Sequence, residues 1–548
     1  MMEKISSILA NHFKKWGVTH VFGIPGKAVV PLLLEIDDKG IDFVLSRHET
    51  GAGYEAAGYS LLSNKIGVAI CTSGPGGTNL ITAAAQAKAS HIPVLLITGH
   101  PSIGQVGKAM GQDSSQFGTD LVDMFKSVTK FSARVERGDQ MRSYLKHALE
   151  KAFSGVKGPV HLSIPADVLL EEVEPFELEL PDSEHVISSR YHDVIDILNR
   201  ANHPVLFLGK GVHASKAYEE IRMMAECWNI PVMTTPGGKG AFQTRHPLSL
   251  GGFGLGGTDE AHDYIKKGVD VMIVIGTKLS DMSLAGLSEE QWPVQVIQFD
   301  YDQTFVGKSL ETSTLFIPGD IKRNLQLIIS EVMRRGAYNG FNAYPHHEKS
   351  SLPLKDEQEN GTYMSSERSI HIINEVLPDE TILFGDAGSH SFYAIKNLNI
   401  EKPGTFFFDD VFGAMGNAIG LSIGAKLASS PHQKVICLTG DGCMLMHGAE
   451  VSTAVNANAA VVFIVFNNSG LDMVDKGMKK HVGKAVGASF ACPVDIYQWA
   501  LSMGALPFKC RTSAELRQSL QTAILSHKTA VVEIIVDPDE LPPTMRRG

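Results

Sequence analysis

Short, uninterrupted apolar runs alternate with helix-length segments along almost the whole chain. Such runs are typical of strands buried on both faces of a parallel sheet, with helices covering each face. The pattern therefore predicts an α/β protein built from doubly wound parallel sheets. The runs include GVAICT (67–72), VLLIT (94–98), VHLSI (160–164), PVLFLG (204–209), VMIVIG (271–276), VICLTG (435–440) and VVEIIV (531–536).

The alternating pattern falls into three blocks. The polar stretches that separate them are EEVEPFELELPDSEH (171–185) and YPHHEKSSLPLKDEQENGT (344–362). Both stretches contain proline and many charged residues, which is typical of linkers. We therefore predict three α/β domains of similar size, at residues 1–172, 186–335 and 363–548, with a linker at 336–362.

Charge and composition exclude several classes of function. The formal net charge is −11 and no block of basic residues stands out, which argues against a nucleic-acid partner. The longest apolar run, AAVVFIVF (459–466), is far shorter than a membrane span, so we expect no membrane partner. The start, MMEKISSILANHFKKWG, predicts an amphipathic helix rather than a signal peptide. Six cysteines without metal or disulfide spacing indicate reduced thiols, and we expect a cytoplasmic protein.

Two successive apolar runs in the third block each end in a polar turn. Gly440-Asp441-Gly442 follows the first run, and Asn467-Asn468 follows the second. In a parallel βαβ unit both turns lie at the carboxyl edge of the sheet, and the helix between them points its amino end there, which suits a phosphate. Carboxylate and amide oxygens are ligands that magnesium prefers. The pattern indicates a metal–diphosphate site, although ordinary βα turns that carry Asp and Asn are the alternative.

This pair of turns, with 24 residues between them (443–466), resembles the signature of thiamine-diphosphate enzymes. The resemblance implies thiamine diphosphate and Mg²⁺ as cofactors, with Asp441, Asn468 and the carbonyl of Gly470 as metal ligands. The stretch DAGSHSFYA (386–394) resembles the family segment around the diphosphate, and FGAMGNAIG (412–420) resembles the stretch that grips the aminopyrimidine. The cofactor-binding residues implied in this block are Gly388, Ser389, His390, Gly413, Met415, Gly440, Asp441, Gly442, Cys443, Asn468 and Gly470. Met415 would hold the cofactor bent between its two rings.

The first block contains LSRHETGAGYEAAGYS (45–60), which resembles the Arg-His-Glu segment of the same family. The resemblance implies Glu49 as the catalytic carboxylate, placed against the pyrimidine so that the cofactor becomes reactive. Two further stretches, 21–33 and 72–99, also resemble the family's first domain and imply cofactor contacts from Pro25, Gly26, Pro75 and Asn79. Glu55, on the helix that follows Glu49, is expected to be structural.

The family arrangement also implies a partner chain. Glu49 and Asp441 lie in different predicted domains, so one cofactor must bridge two domains. In this family the first domain of one chain faces the third domain of another, which implies a homodimer or homotetramer with active sites between chains.

The middle block narrows the resemblance to acetolactate synthases, through the stretches 158–168, 231–262 and 298–308. This resemblance implies that pyruvate is decarboxylated through a thiamine-bound enamine and joined to a second 2-oxoacid to give 2-acetolactate. One alternative is a related thiamine-dependent 2-oxoacid decarboxylase or aldehyde lyase with another donor or acceptor. A non-catalytic homologue that keeps the fold is the other alternative.

Three positions depart from the acetolactate synthase pattern. Where many members have Ala-Phe-Gln-Glu at the substrate entrance, the sequence places Gln116 and Phe117 in reversed order. We predict Gln116 as a catalytic residue and Phe117, Met473 and Gly477 as substrate contacts. Gly477 replaces a tryptophan that favours a larger acceptor, so a preference for 2-oxobutanoate should be lost. Lys278 replaces an arginine of flavin-binding members and cannot form its guanidinium fork, which argues against FAD without excluding it.

Overall fold

The computed structural model describes residues 2–182, 186–335 and 362–545, which form three sheets of six parallel strands each. The three sheets confirm the predicted fold class. Alternate residues of a central strand enter two different apolar clusters, as Val68 and Ala69 do in the first sheet, so each sheet is covered on both faces. No helix within these ranges is long and apolar enough to cross a membrane.

The first sheet is formed by residues of the first block. Its strands and the accompanying short pair are β1 (Glu3–Lys4), β2 (His20–Ile24), β3 (Asp42–Leu45), β4 (Gly67–Cys71), β5 (Val94–His100), β6 (Phe131–Arg134), β7 (Val160–Pro165) and β8 (Glu172–Val173). The helices are α1 (Ile5–Lys15), α2 (Val30–Asp38), α3 (Glu49–Ser63), α4 (Pro75–Asn79), α5 (Ile81–Ala89), α6 (Leu121–Lys126) and α7 (Met141–Phe153). The strand order is β3-β2-β4-β5-β7-β6, and β1 pairs antiparallel with β8.

The second sheet is formed by the middle block. Its strands are β9 (Val205–Leu208), β10 (Val232–Thr234), β11 (Ser249–Gly252), β12 (Val271–Ile275), β13 (Gln295–Asp300) and β14 (Ser313–Pro318). The helices are α8 (Tyr191–Leu198), α9 (Gly211–Ser215), α10 (Tyr218–Trp228), α11 (Asp259–Lys266), α12 (Asp281–Leu284) and α13 (Ile321–Arg335). The strand order is β11-β10-β9-β12-β13-β14.

The third sheet is formed by the last block. Its strands are β15 (Ile382–Gly385), β16 (Phe406–Phe408), β17 (Val435–Gly440), β18 (Val461–Asn467), β19 (Leu506–Cys510) and β20 (Ala530–Ile535). The helices are α14 (Ser366–Val376), α15 (Ser389–Asn397), α16 (Asn417–Ala428), α17 (Asp441–His447), α18 (Glu450–Asn456), α19 (Asp472–Val482), α20 (Ile496–Ser502) and α21 (Ser513–Leu525). The strand order is β16-β15-β17-β18-β20-β19.

The domain boundaries stay a prediction. All of the predicted linker at 336–362 except Thr362 lies outside the described residues, as do residues 183–185 between the first two blocks. On either side of the linker, α13 ends at Arg335 and α14 begins at Ser366.

Helix α3 of the first domain packs closely against α16 of the third. A Cβ atom at Gly58 would overlap the carbonyl oxygen of Leu421, and one at Gly424 would overlap the carbonyl oxygen of Glu55. A Cβ atom at Gly420 would lie 2.6 Å from Cβ of Tyr54. The absence of side chains at these glycines therefore lets the two backbones meet. This contact joins the helix that begins at Glu49 to the helix that follows Met415.

We expect Gly424→Ala to destabilise the protein. Alanine is the better helix former by about 1 kcal/mol, but overpacking against a backbone oxygen costs about 1–3 kcal/mol or more. The steric cost therefore outweighs the gain in helix propensity. The measurement is the midpoint of thermal unfolding, with Gly104→Ala as the control because a Cβ atom there would meet nothing within 4 Å. An unchanged or raised midpoint for Gly424→Ala would contradict the close contact.

Candidate active site

The two polar turns of the third domain lie at the same edge of its sheet. Strand β17 pairs parallel with β18, so that Gly440 lies opposite Phe466, and α17 begins at Asp441 directly after β17. Asp441 Oδ2 accepts a hydrogen bond of 3.0 Å from the backbone N–H of Gly470, in the second turn. The structure therefore brings Asp441 and Gly470 together. Asn468 lies in the same turn and is partly exposed.

Asp441 is suited to binding a cation. The residue is only 3% exposed, and burial raises the pKa of its carboxyl to about 7, although the backbone N–H groups of Gly442, Gly470 and Ser469 lower it. Within the described part of the chain no ion pair neutralises this carboxyl. A charge buried in this way is costly unless a partner compensates it.

The ligands available beside Asp441 suit a hard ion. In residues 2–182, 186–335 and 362–545, no group of three or more His, Cys, Asp and Glu side chains could hold a metal. One carboxylate, one amide oxygen and one backbone carbonyl instead match magnesium, which completes its octahedron with phosphate oxygens and water.

The segment that follows β15 lies beside the end of β17, at the same edge of the sheet as Asp441. Ser389 begins α15, and His390 is buried beside the end of β17, where a Cβ atom at Gly440 would lie 3.1 Å from its Nδ1. Burial lowers the pKa of His390 to about 3, so the ring is neutral. Its Nε2 is buried and has no hydrogen-bond partner among the described residues. An unpaired buried nitrogen at this place fits a site that is completed by a ligand.

Met415 lies against the Gly440–Gly442 turn. A Cβ atom at Gly442 would be 3.3 Å from Met415 Cε and 2.7 Å from Leu471 Cδ2, so both side chains pack closely against this glycine. Gly413 has φ of +69°, and no atom of the described residues lies within 4 Å of a Cβ atom placed there, so the space beside its backbone is open within this part of the chain. Cys443 Sγ donates to the carbonyl oxygen of Ala387 at 3.3 Å. The structure thus brings together the three predicted segments of the third domain.

Two aspartates that the sequence analysis missed hold these segments in place. Asp386 Oδ1 accepts from the backbone N–H of Gly416 at 2.8 Å, and its Oδ2 accepts from Thr439 Oγ1 at 2.9 Å. Burial raises the pKa of Asp386 to about 6. Asp386 therefore ties the Met415 segment to the end of β17. Its sequence signals are that it follows a strand directly and that it begins the stretch 386–394.

Asp409 supports the open turn at Gly413. Its Oδ2 accepts from the backbone N–H groups of Gly413 at 2.8 Å and Phe412 at 3.0 Å, and Lys210 Nζ of the middle domain lies 2.7 Å from its Oδ1. Burial acts to raise the pKa of Asp409, but Lys210 and the Gly413 N–H outweigh it and hold the pKa well below its usual range. A charged pair between two domains therefore fixes this turn.

Glu49 and its neighbours form the first-domain part of the site. Asn79 Nδ2 donates to Glu49 Oε2 at 2.9 Å, and a Cβ atom at Gly76 would be 3.5 Å from Glu49 Oε1. Pro75 is the first residue of α4, the short helix that ends at Asn79. Pro25 and Gly26 follow β2, and a Cβ atom at Gly26 would overlap Thr72, directly after β4. The buried Glu49 carboxyl therefore has one oxygen held by an amide, and the other accepts no hydrogen bond from the residues that the structure describes.

Among the described residues, Glu49 and Asp441 are not hydrogen-bonded to each other. Within the described residues, no hydrogen bond or ion pair links Glu49 or Asn79 to the groups around Asp441. The hydrogen bonds between the two domains near the site come instead from neighbouring residues, such as the one from the Ala414 N–H to Gln86 Oε1 at 3.4 Å.

Comparison with known families matches each domain separately. Residues 3–123 match the N-terminal TPP binding domain of thiamine pyrophosphate enzymes, residues 191–328 match the central domain, and residues 386–534 match the C-terminal TPP binding domain. This chain belongs to the thiamine pyrophosphate enzyme family. Thiamine pyrophosphate, also called thiamine diphosphate, is therefore its cofactor, and the buried Asp441, the unpaired His390 and the open turn at Gly413 fit that ligand.

Individual relatives are named as acetolactate synthases. The chain is 30% identical to a probable acetolactate synthase large subunit of Methanocaldococcus jannaschii, over 97% of this chain and 92% of the relative. It is also 30% identical to an acetolactate synthase of Mycobacterium bovis, over 95% of this chain and 86% of the relative. The chain is 30% identical to an acetolactate synthase large subunit of Corynebacterium glutamicum as well, over 83% of this chain and 73% of the relative.

The residues predicted for substrate binding in this thiamine pyrophosphate enzyme lie in two domains. Gln116 Oε1 accepts from Arg134 Nη1 at 3.2 Å, and the neighbouring Phe117 is 69% exposed. In the third domain, Met473 packs partly buried against the core, and a Cβ atom at Gly477 would be 3.6 Å from Met545 Cε. Their contact with substrate stays a prediction.

Lys278, the position predicted to bear on flavin binding, lies in the middle domain. Its Nζ is 5.3 Å from the centroid of the Phe305 ring, and it lines a cavity of about 930 Å³. Neither observation tests FAD, so the argument against flavin stays a prediction.

Proposed function

We propose that this enzyme decarboxylates pyruvate and joins the remaining two-carbon unit to a second 2-oxoacid, giving 2-acetolactate. The observation that carries the proposal is the thiamine pyrophosphate site, in a chain similar over almost its whole length to proteins named acetolactate synthase. When bound, thiamine diphosphate supplies the electron sink that decarboxylation of a 2-oxoacid requires.

The proposed task of the third domain is to hold the cofactor. Asp441, Asn468 and the carbonyl oxygen of Gly470 would bind Mg²⁺, which in turn binds the diphosphate. Met415 would support the cofactor from the side of Gly442, and Gly413 would offer its backbone carbonyl to the pyrimidine. The clamp formed by Asp409 and Lys210 supports this role, because it fixes the Gly413 turn before any ligand arrives.

The proposed task of Glu49 is proton transfer. Asn79 holds Oε2, which leaves Oε1 to exchange a proton with a ring nitrogen of the pyrimidine. Burial of the carboxyl excludes water and so strengthens this contact. Gln116, held by Arg134, would orient the substrate, with Phe117, Met473 and Gly477 shaping the space for the acceptor.

We also propose that two chains complete each site, in a homodimer or homotetramer. The support is that Glu49 and Asp441 belong to separate groups of hydrogen-bonded residues within one chain. Isologous pairing of two identical chains would create two equivalent sites. A cytoplasmic location stays a prediction.

The test of the proposed reaction is incubation with pyruvate, Mg²⁺ and thiamine diphosphate. We expect release of carbon dioxide and a product that acid converts to acetoin, with both lost when EDTA removes the metal. No release of carbon dioxide from pyruvate would contradict the proposal. An aldehyde as the main product would instead favour the decarboxylase or lyase alternative, to which the altered segment around Gln116 points.

A further inference from the structure

The backbone that leads into Glu49 is bound by a carboxylate from the third domain. Glu450, the first residue of α18, is 1% exposed. Its Oε1 accepts from the backbone N–H of His48 at 2.8 Å and of Arg47 at 3.1 Å. Its Oε2 accepts from Arg47 N–H at 3.0 Å and from Thr453 Oγ1 at 2.6 Å. The backbone N–H groups of Arg47 and His48, directly before α3, therefore both donate to the side chain of Glu450. The two sites are about four hundred residues apart in sequence (450 − 48 = 402).

The space around Glu450 is shaped for this contact. A Cβ atom at Gly51 would overlap Glu450 Oε1, so only glycine at this position of α3 lets the carboxylate reach the backbone. The contact thus depends on residues of both domains.

Glu55 completes the arrangement from α3. It is fully buried, and its Oε2 accepts from Ser46 Oγ at 2.6 Å. Its Oε1 has no hydrogen-bond partner among the described residues. Burial, together with the charge of Glu450, holds the pKa of Glu55 well above its usual range. Glu450 therefore has Glu55 as a buried neighbour on α3, in addition to the two backbone N–H groups from which it accepts.

We propose that Glu450 is a positioning residue for Glu49, which fixes the start of α3 by accepting the N–H groups of Arg47 and His48. The inference rests on the proposed role of Glu49. Stretch 441–450 would then have two tasks, because it begins at the cofactor-binding Asp441 and ends at the residue that orients the catalytic carboxylate. A misplacement of about 1 Å can cost about 10²-fold in rate, so the effect should be measurable.

The test compares Glu450→Ala and Glu450→Gln with Glu55→Gln in the full-length enzyme. The first readout is hydrogen exchange of the backbone amides at 47 and 48, measured by mass spectrometry without cofactor. The second is the rate at which the C2 proton of bound thiamine diphosphate exchanges with D₂O, which needs no substrate. The third is kcat and the KM for thiamine diphosphate.

We expect Glu450→Ala to speed hydrogen exchange of the backbone amides at 47 and 48 without affecting amides elsewhere. The rate of C2 proton exchange and kcat should both fall by about 10²-fold, while the KM for thiamine diphosphate should be nearly unchanged. Glu450→Gln should restore part of each loss, because its amide oxygen still accepts from the backbone. Glu55→Gln should stay close to wild type, since its amide oxygen can still accept from Ser46 Oγ and the Glu450 contacts with Arg47 and His48 are kept.

Glu515→Ala is the matched control. Glu515 Oε2 accepts from the backbone N–H groups of Arg511 at 2.8 Å and Thr512 at 3.2 Å, directly before α21, and lies outside the proposed site. We expect Glu515→Ala to speed hydrogen exchange of the backbone amides at 511 and 512 and to leave the rate of C2 proton exchange unchanged.

Three outcomes would overturn the proposal. The first is unchanged exchange of the backbone amides at 47 and 48 in the Glu450 variants, and the second is C2 proton exchange that is slowed no more than in Glu515→Ala. The third is faster amide exchange throughout both domains together with a lowered midpoint of thermal unfolding. If Glu450→Ala does not fold, Glu450→Gln supplies the same readouts. A wild-type enzyme without turnover of pyruvate would contradict the proposed function, whereas the amide and C2 exchange would still decide the role of Glu450.

Discussion

Replacing Glu49 with Gln should remove most turnover while the enzyme still binds its cofactor. Proton transfer by a positioned side chain contributes about 10²–10⁴-fold to a rate, so we expect kcat to fall by about that factor. The amide oxygen of Gln can still accept the hydrogen bond from Asn79 Nδ2, which keeps the local structure. The measurements are initial rates of carbon dioxide release and calorimetric titration with thiamine diphosphate in the presence of Mg²⁺.

The control for this prediction is Glu174→Gln, which removes an exposed carboxyl beyond the first sheet. We expect its rate and cofactor affinity to match those of the wild type. Equal activity of Glu49→Gln and wild type would contradict the proposed role of Glu49 and favour a homologue that keeps the fold without the reaction.

Replacing Asp441 with Asn should weaken binding of thiamine diphosphate in the presence of Mg²⁺. Asn keeps an acceptor for the Gly470 N–H but loses the charge, so the variant isolates the contribution of charge to metal binding. Removing one partner of a buried charged contact costs about 3–5 kcal/mol, which corresponds to roughly 10²–10⁴-fold in dissociation constant. The measurement is the same calorimetric titration. An affinity within about threefold of wild type would exclude Asp441 as the metal ligand.

The two variants together test whether sites lie between chains. In a mixed dimer, the Asp441→Asn chain supplies an intact Glu49 and the Glu49→Gln chain supplies an intact Asp441, so one of two sites is complete. Random co-assembly should therefore restore about one quarter of the wild-type activity, as half of the dimers are mixed. No recovery in co-expressed protein that contains mixed dimers would place each site within one chain.

Much of the fold could be predicted because the strands are continuous apolar runs. VICLTG became β17 at Val435–Gly440, and the apolar run at 459–466 became most of β18 at Val461–Asn467. A strand that is covered on both faces of its sheet is apolar at nearly every position, so it appears in the sequence as a continuous apolar run. The two turns around Asp441 could be predicted to meet for the same reason, since parallel strands end at one edge.

Residues that act through contacts between domains could not be predicted in this way. Asp409 pairs with Lys210 of another domain, and Glu450 binds backbone N–H groups of the first domain. Each is one charged residue at the end of a strand or the start of a helix, where such residues are common, and only the folded chain shows what each one contacts. Glu55, which we expected to be structural, is fully buried and close enough to Glu450 for the charge of Glu450 to raise its pKa.

The central claim is the joining of two pyruvate molecules, and carbon-13 NMR of the reaction with [2-¹³C]pyruvate tests it most directly. In 2-acetolactate the labelled carbon of the donor is bonded to the labelled carbon of the acceptor. We therefore predict two product signals, each split by coupling to the other, that depend on thiamine diphosphate and Mg²⁺ and are absent with Glu49→Gln. A singly labelled aldehyde with an unsplit signal, or unchanged pyruvate, would contradict the account.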